Sequence, residues 1–185
     1  MHAIRHGKPT YHRGVLMRSR LETKWARFFD LLGWEYSYEP AIDLHGYIPD
    51  FVLHFYKPLL VEVKPAFTTS ELQKYTAKID ASGWKGEALL VGASLFNTGS
   101  PHPLIGLLRV ADENEWGHGC LFGCTECERV SVLSEHAGWR CRVCGAYDGN
   151  AYVGNAMVAS LAAWEEATNR TQWRGGSNVA RSEIH

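Results

Sequence analysis

Residues 47–65 read YIPDFVLHFYKPLLVEVKP, and the fold turns on how this stretch pairs with itself. Two β-rich runs, YIPDFVLHFY (47–56) and PLLVEVKP (58–65), are bounded by prolines, which central strands exclude from their interiors. The break around Lys57 and Pro58 is short enough for a hairpin. Side chains two apart in a strand share a face, so Leu60, Glu62 and Lys64 point one way and Val61 and Val63 the other. Burying Glu and Lys near the end of a core strand costs on the order of several kcal/mol if either is unpaired. A sequence keeps such residues when they satisfy each other or when a ligand uses them. Asp50 heads the first run, and a hairpin brings it beside Glu62. Two adjacent carboxylates repel unless a cation lies between them. Oxygen donors with room for water suit Mg2+ or Mn2+. The same letters would also fit an Asp at a turn and an exposed Glu-Lys pair on an edge strand. Glu-x-Lys alone decides little, because Glu22-Thr23-Lys24 matches it on a helix, where residues two apart do not face each other.

Working outward, RSRLETKWARFFDLL (18–32) predicts a helix whose Leu21, Trp25, Phe28 and Leu32 form one apolar stripe. Ser19 caps it, Glu22 completes a capping box, and Gly33 ends it. WEYSYEP (34–40) alternates like a strand. TTSELQKYTAKIDASG (68–83) predicts a second helix, with Ser70 as cap, Gly83 as stop, and Leu72, Tyr75 and Ile79 inward. EALLVGASLF (87–96) is apolar throughout, as a central strand covered on both faces should be. PLIGLLRV (103–110) predicts a further strand. NAMVASLAAWEEATNR (155–170) predicts a helix with Met157, Leu161 and Trp164 apolar, and the tail WRGGSNVARSEIH looks frayed. The order α-β-β-β-α-β-β, a cysteine insert, then α gives an α/β class with a mixed central sheet flanked by helices.

The chain has 185 residues, 45% hydrophobic and 21% charged, enough to build a core. No apolar run approaches the roughly 20 residues of a membrane helix. The first residues, MHAIRHGKPTYHRG, are basic without an apolar h-region, so the expectation is a cytosolic protein with no membrane partner. Residues 1–27 carry Arg5, Lys8, Arg13, Arg18, Arg20, Lys24 and Arg27 against Glu22 alone, a net of +6; the formal total of -1 leaves -7 for the remainder. Such asymmetry fits either a polyanion-binding segment or a solvated arm.

All five cysteines lie between 120 and 144. An odd, clustered set does not resemble a secreted disulfide framework. Cys124-x2-Cys127-x13-Cys141-x2-Cys144 is the spacing of a closed, structural Zn2+ site, with Gly145 aiding the second turn. RVSVL (129–133) and GWRC (138–141) are its expected ribbon strands. Cys120 is either a spare thiol or, less favourably spaced, a substitute for Cys124. Arg129, Arg140 and Arg142 permit DNA contact by the ribbon, offset by Glu126, Glu128 and Glu135. Scaffolding is the simpler role.

YIPDF followed by LLVEVKP resembles the PD-(D/E)XK nuclease superfamily, whose motif is Pro-Asp, a spacer, then Asp/Glu-x-Lys. RSRLETKWARFFDLLGWEYSYEP is similar to the first helix and strand of small phage-type members, so the resemblance spans roughly residues 11–97. It implies a restriction-endonuclease-like core. Asp50, Glu62 and the Val63 carbonyl then resemble ligands of catalytic Mg2+ or Mn2+, and Lys64 the catalytic lysine. Glu22 resembles the helix carboxylate that binds a second metal or a metal-bound water, beside its reading as a capping box. Gln73, Lys74 and Lys78 match positions where some members place a further Gln or Lys, though a solvated face explains them as well. Glu39 either touches the site or ends a strand, the latter being preferred.

The implied domains are a nuclease core with a basic N-terminal segment (1–115), a zinc-ribbon insert (116–150), and a C-terminal helix packing on the core with its tail (151–185). The implied function is a metal-dependent endonuclease acting on DNA. If phage-encoded, it would work in the cytoplasm of an infected bacterial host. Arg18 and Arg20 would position the DNA backbone, and paired cuts would need a dimer. The alternatives are a non-catalytic module binding nucleic acid or protein on the same fold, and a nuclease acting on RNA.

Overall fold

The computed structural model describes residues 8–96, 102–111, 115–134, 140–147 and 154–172. Arg5, Glu135, the first half of the expected strand at 138–141 and the tail from 173 lie outside the described residues. The elements are β1 (Thr10–His12), β2 (Val15–Met17), α1 (Arg20–Leu31), β3 (Tyr36–Tyr38), β4 (Phe51–Leu53), β5 (Leu59–Val63), α2 (Thr69–Leu72), a 3-10 turn (Gln73–Tyr75) and α3 (Thr76–Asp80). They continue as β6 (Glu87–Phe96), β7 (Leu104–Arg109), β8 (Trp116–Gly123), β9 (Val130–Ser134) and α4 (Met157–Thr171). The result is a mixed α/β fold in which seven strands form one sheet in the order β3-β4-β5-β6-β7-β8-β9, with β1-β2 as a separate hairpin.

The opening stretch folds as a hairpin. β4 and β5 are antiparallel with Phe51 opposite Val61, Val52 opposite Leu60 and Leu53 opposite Leu59. β5 is then parallel to β6, which only a crossover can achieve, and α2, the 3-10 turn and α3 supply it. The two faces of β5 separate as their alternation requires. Leu59, Val61 and Val63 enter one core with Trp25, Phe28 and Phe29 of α1, while Leu60 enters a second with Leu72 and Ile79. Trp25, Phe28 and Phe29 are fully buried, each worth about 1.5–3 kcal/mol of apolar transfer. Trp25 and Phe28 meet edge to face at 5.4 Å between centroids.

Two local expectations, both in the second helix, are corrected. The second helix is broken by a 3-10 turn, and its cap is Thr68, which accepts from the Glu71 amide, rather than Ser70. α4 packs on α1 through Trp164, whose ring lies 4.5 Å from that of Trp25 and 5.4 Å from that of Phe28, with Ala163 and Ala167 in the same core, while Leu161 faces solvent. Residues 116–123, expected inside the ribbon insert, form β8, paired with β7 from Leu104–Cys120 to Arg109–Trp116. Residues 130–134 pair with β8 in turn, so the ribbon grows from the end of the main sheet. Among the described residues no helix is long and apolar enough to cross a membrane.

Candidate functional site

Continuing the β4–β5 register by one residue places Asp50 opposite Glu62. The two acids are 5% and 2% exposed. Asp50 Oδ2 accepts the Val63 N–H at 2.7 Å, which ties the carboxylate to the neighbouring strand. Its Oδ1 faces Arg18 Nη2 at 3.0 Å. Glu62 Oε1 accepts from Lys64 Nζ at 2.6 Å and from Lys78 Nζ at 3.3 Å, and Oε2 accepts from the Tyr47 hydroxyl at 2.6 Å. Glu62 and Lys64 therefore share a face, as strand alternation demands, and α3 contributes Lys78 from across the crossover.

These partners divide the charge unevenly. Burial, then the charge of Glu62, pushes the Asp50 carboxyl up to about 7. Burial also acts to raise Glu62, but the charge and hydrogen bond of Lys64, with the Tyr47 hydroxyl and Lys78, outweigh it and hold Glu62 below its ordinary value. Tyr47 is pushed well above the usual phenol by burial and by Glu62, so it stays a donor. Asp50 thus resists ionisation beside a Glu62 that stays charged among Lys64, Lys78 and the Tyr47 hydroxyl.

Glu22 sits in the first turn of α1 because Ser19 caps that helix. The Ser19 hydroxyl accepts the Glu22 amide at 3.1 Å, which caps the helix, and donates to Glu22 Oε1 at 2.7 Å, so the carboxylate is held by the hydroxyl of the cap. Glu22 also belongs to the acidic cluster. Its Oε2 accepts from the Tyr38 hydroxyl at 2.6 Å, and the Arg18 amide donates to that hydroxyl at 2.9 Å. Glu39, expected to do no more than end a strand, reaches the site: it pairs with Arg18 Nε and its amide donates to the Asp50 carbonyl at 3.0 Å. It adopts a left-handed φ of +42°, a strained conformation for a non-glycine residue. Tyr47 and Tyr38, which position the two glutamates, had no signal in the sequence beyond strand periodicity.

A cleft of about 490 Å3 opens beside these groups, lined among others by Arg18, His45, Tyr47, Ile48 and Lys78. A second cleft of about 530 Å3 lies between the β1-β2 hairpin and β3, lined by His12, Arg13, Trp34, Tyr36 and Tyr38 among others. It meets the acidic cluster only through Tyr38. Of the basic N-terminal segment, Arg13 pairs with Asp30, Lys24 lies over the Trp164 ring, and Arg18 is engaged as above. Arg20 is exposed, with no acidic partner among the described residues.

The sulfurs of Cys124, Cys127, Cys141 and Cys144 all lie within 4.8 Å of one another. Cys124 and Cys144 are 3.9 Å apart and Cys127 and Cys141 3.8 Å. A Zn–S bond of about 2.3 Å puts tetrahedral sulfurs roughly 3.8 Å apart, so four sulfurs at these separations suit a structural metal ion such as zinc. The two knuckles repeat one design. The Glu128 amide returns to the Cys124 carbonyl and the Gly145 amide to the Cys141 carbonyl, with φ of +57° and +80° at those residues. Cys120 stands in β8 opposite Leu133, outside this group.

Arg142 points inward, whereas Arg129 and Arg140 are exposed and held at their tips. Arg142 Nε and Nη2 hold Glu87 at 2.7 and 2.9 Å, Nη1 donates to Val132, and Arg129 donates to the Gly33 carbonyl. Arg140 is bound to the Gly145 carbonyl and lies over Tyr147. These contacts bolt the ribbon to β6 and to the end of α1. No family model matches the chain, and neither a curated protein nor a solved structure matches it.

Proposed function

We propose that the protein is a metal-dependent phosphodiesterase of the PD-(D/E)XK type with a restriction-endonuclease-like core, acting as an endonuclease on DNA. The observation that carries this reading is the burial of Asp50 and Glu62 on facing strands with Lys64 on the Glu62 carboxylate. Asp50, Glu62 and the Val63 carbonyl would hold Mg2+ or Mn2+, with Glu22 serving a second ion or an ion-bound water. The ion, when bound, supplies charge neutralisation at a phosphate and activation of water.

The remaining steps belong to the chain. Tyr47 and Lys78 fix the Glu62 carboxylate, so Lys64 is aimed from a rigid partner. Lys64 orients the attacking water or stabilises the charge that develops in the transition state. Arg18 and the exposed Arg20 meet the backbone phosphates, so binding should weaken steeply with salt. Zn2+ in the four-cysteine site is closed to substrate and structural, holding the knuckles against the sheet.

The test is a cleavage assay on duplex, single-stranded and branched DNA and on RNA with Mg2+ or Mn2+. Wild type should cut DNA, and Lys64→Ala should not. Equal cutting by both, or none by wild type, sinks the reading. A second reading, a non-catalytic module that binds nucleic acid or protein, is favoured by one observation: Arg18, Lys64 and Lys78 already neutralise the buried acids. A mobility shift that persists in EDTA without cleavage would select it. Elemental analysis should find one zinc per chain, lost in Cys141→Ser.

A further inference from the structure

Arg18 holds a position that a divalent ion would also need. Asp50 Oδ2 is committed to the Val63 amide, which leaves Oδ1 as the oxygen open to a cation, and the Arg18 guanidinium lies 3.0 Å from it. The acid side chain is 7% exposed whereas that of Arg18 is 59% exposed. The guanidinium therefore has a solvent-side exit, into the cleft that runs from Arg18 to Lys78. Its anchors allow it to leave Asp50 without leaving the site. The Arg18 amide is bound to the Tyr38 hydroxyl, and Glu39, held in left-handed backbone beside Asp50, tethers the Nε edge.

We infer that Arg18 is an exchangeable counter-ion: it neutralises Asp50 until a phosphate of an incoming polyanion draws it away, which clears Oδ1 for the divalent ion. The inference rests on the phosphodiesterase reading, from which the polyanion and the ion are taken. A guanidinium matches two phosphate oxygens at once, so the phosphate competes well for it. A guanidinium and a divalent ion brought to the same oxygen repel each other and compete for it, so removing Arg18 should tighten ion binding. Polyanion and ion must then favour each other's binding by the same factor. An Arg18 that merely braces the site makes the opposite prediction, since its loss would loosen the site and weaken the ion.

The experiment is calorimetric titration of Mn2+ into zinc-loaded protein, with Asp50→Asn subtracting binding elsewhere. It is repeated with a phosphorothioate duplex that resists cutting. Without the duplex, Arg18→Gln is expected to bind Mn2+ about five-fold more tightly, or better. The duplex should tighten Mn2+ binding to wild type but not to Arg18→Gln. Duplex binding by Arg18→Gln should show a log–log salt slope lower by about 1. Arg18→Lys, which keeps a cation, should stay near the wild-type affinity. Equal or weaker Mn2+ binding by Arg18→Gln overturns the exchange, as does a shift shared alike by both variants. Mn2+ that binds neither wild type nor Arg18→Gln above the Asp50→Asn level overturns the ligand reading of Asp50, and the exchange with it.

Discussion

The Val63 N–H donates to Oδ2 of Asp50 at 2.7 Å, so one of the proposed metal ligands is also a structural pin between β4 and β5. Asp50→Ala leaves that buried amide without a partner, a loss of about 1–3 kcal/mol. Asp50→Asn keeps a carbonyl oxygen for it. Urea unfolding should therefore separate the two variants, with Asp50→Asn within about 1 kcal/mol of wild type and Asp50→Ala below it. Both should be inactive in cleavage. An Asp50→Ala protein as stable as Asp50→Asn would show that the amide finds water instead.

The acid pair also makes stability depend on pH. Asp50 is pushed up from 3.8 to about 7, chiefly by burial and then by the charge of Glu62. Between those values the native state keeps a proton that the unfolded chain has released. The Asp50 contribution is thus complete below about 4 and is lost as pH rises towards 7. Glu62, which is lowered, works in the opposite sense and is common to both proteins in a comparison with Asp50→Asn. The stability of wild type relative to Asp50→Asn should fall across this window without added Mg2+ or Mn2+, and saturating Mn2+ should flatten the slope. Urea melts in buffers spanning the window measure this. A relative stability that stays flat across this window would mean Asp50 is ionised throughout.

The parts of this architecture that were legible in the sequence are those where burial differs between neighbouring residues. Leu60, Glu62 and Lys64 alternate with Val61 and Val63, and the structure separates them onto two faces. Ser19 and Glu22 announce the start of α1 through a three-residue spacing that lets the Ser19 hydroxyl take the Glu22 amide. Elements without that contrast were missed. In the β1-β2 hairpin Tyr11, Val15 and Leu16 are exposed, so its strands carry no inward pattern. β8 reads WGHGCLFG, and its glycines look like breakers; a Cβ on Gly119 would sit 3.2 Å from the Leu108 side chain, so close packing explains that one. The buried face of α4 is alanine and serine, which no hydrophobic periodicity reveals. The Tyr38–Glu22 and Tyr47–Glu62 bonds join residues 16 and 15 positions apart, set by how the strands cross rather than by spacing.

The ribbon should fail when its buried ion pair is broken from one side. Arg142 and Glu87 side chains are 10% and 11% exposed and meet through two nitrogens. Glu87→Ala would leave a buried guanidinium without its anion, at about 3–5 kcal/mol. Adding Arg142→Met removes that stranded charge, so the double variant should be more stable than Glu87→Ala alone. Thermal melts of the two single variants and the double one give the coupling directly. Simple additivity would place Arg142 in solvent.

The two knuckles differ in the residue that each places in left-handed backbone. Glu128 and Gly145 each follow the first cysteine of their pair by four residues and each adopts positive φ, +57° and +80°. Left-handed backbone costs a residue with a Cβ roughly 1–2 kcal/mol, whereas glycine enters it freely. Glycine gives back part of that gain through the greater entropy of the unfolded chain. Glu128→Gly should therefore stabilise the ribbon by up to about 1 kcal/mol and slow the loss of zinc to a chelator. Gly145→Ala should do the reverse and more, since its Cβ would lie 2.8 Å from the Tyr56 ring in addition to the backbone strain. Chelator-driven zinc release, followed with a colorimetric zinc indicator, ranks the three proteins. A Glu128→Gly protein that releases zinc faster than wild type would mean that the Glu128 side chain, rather than its backbone, holds the first knuckle.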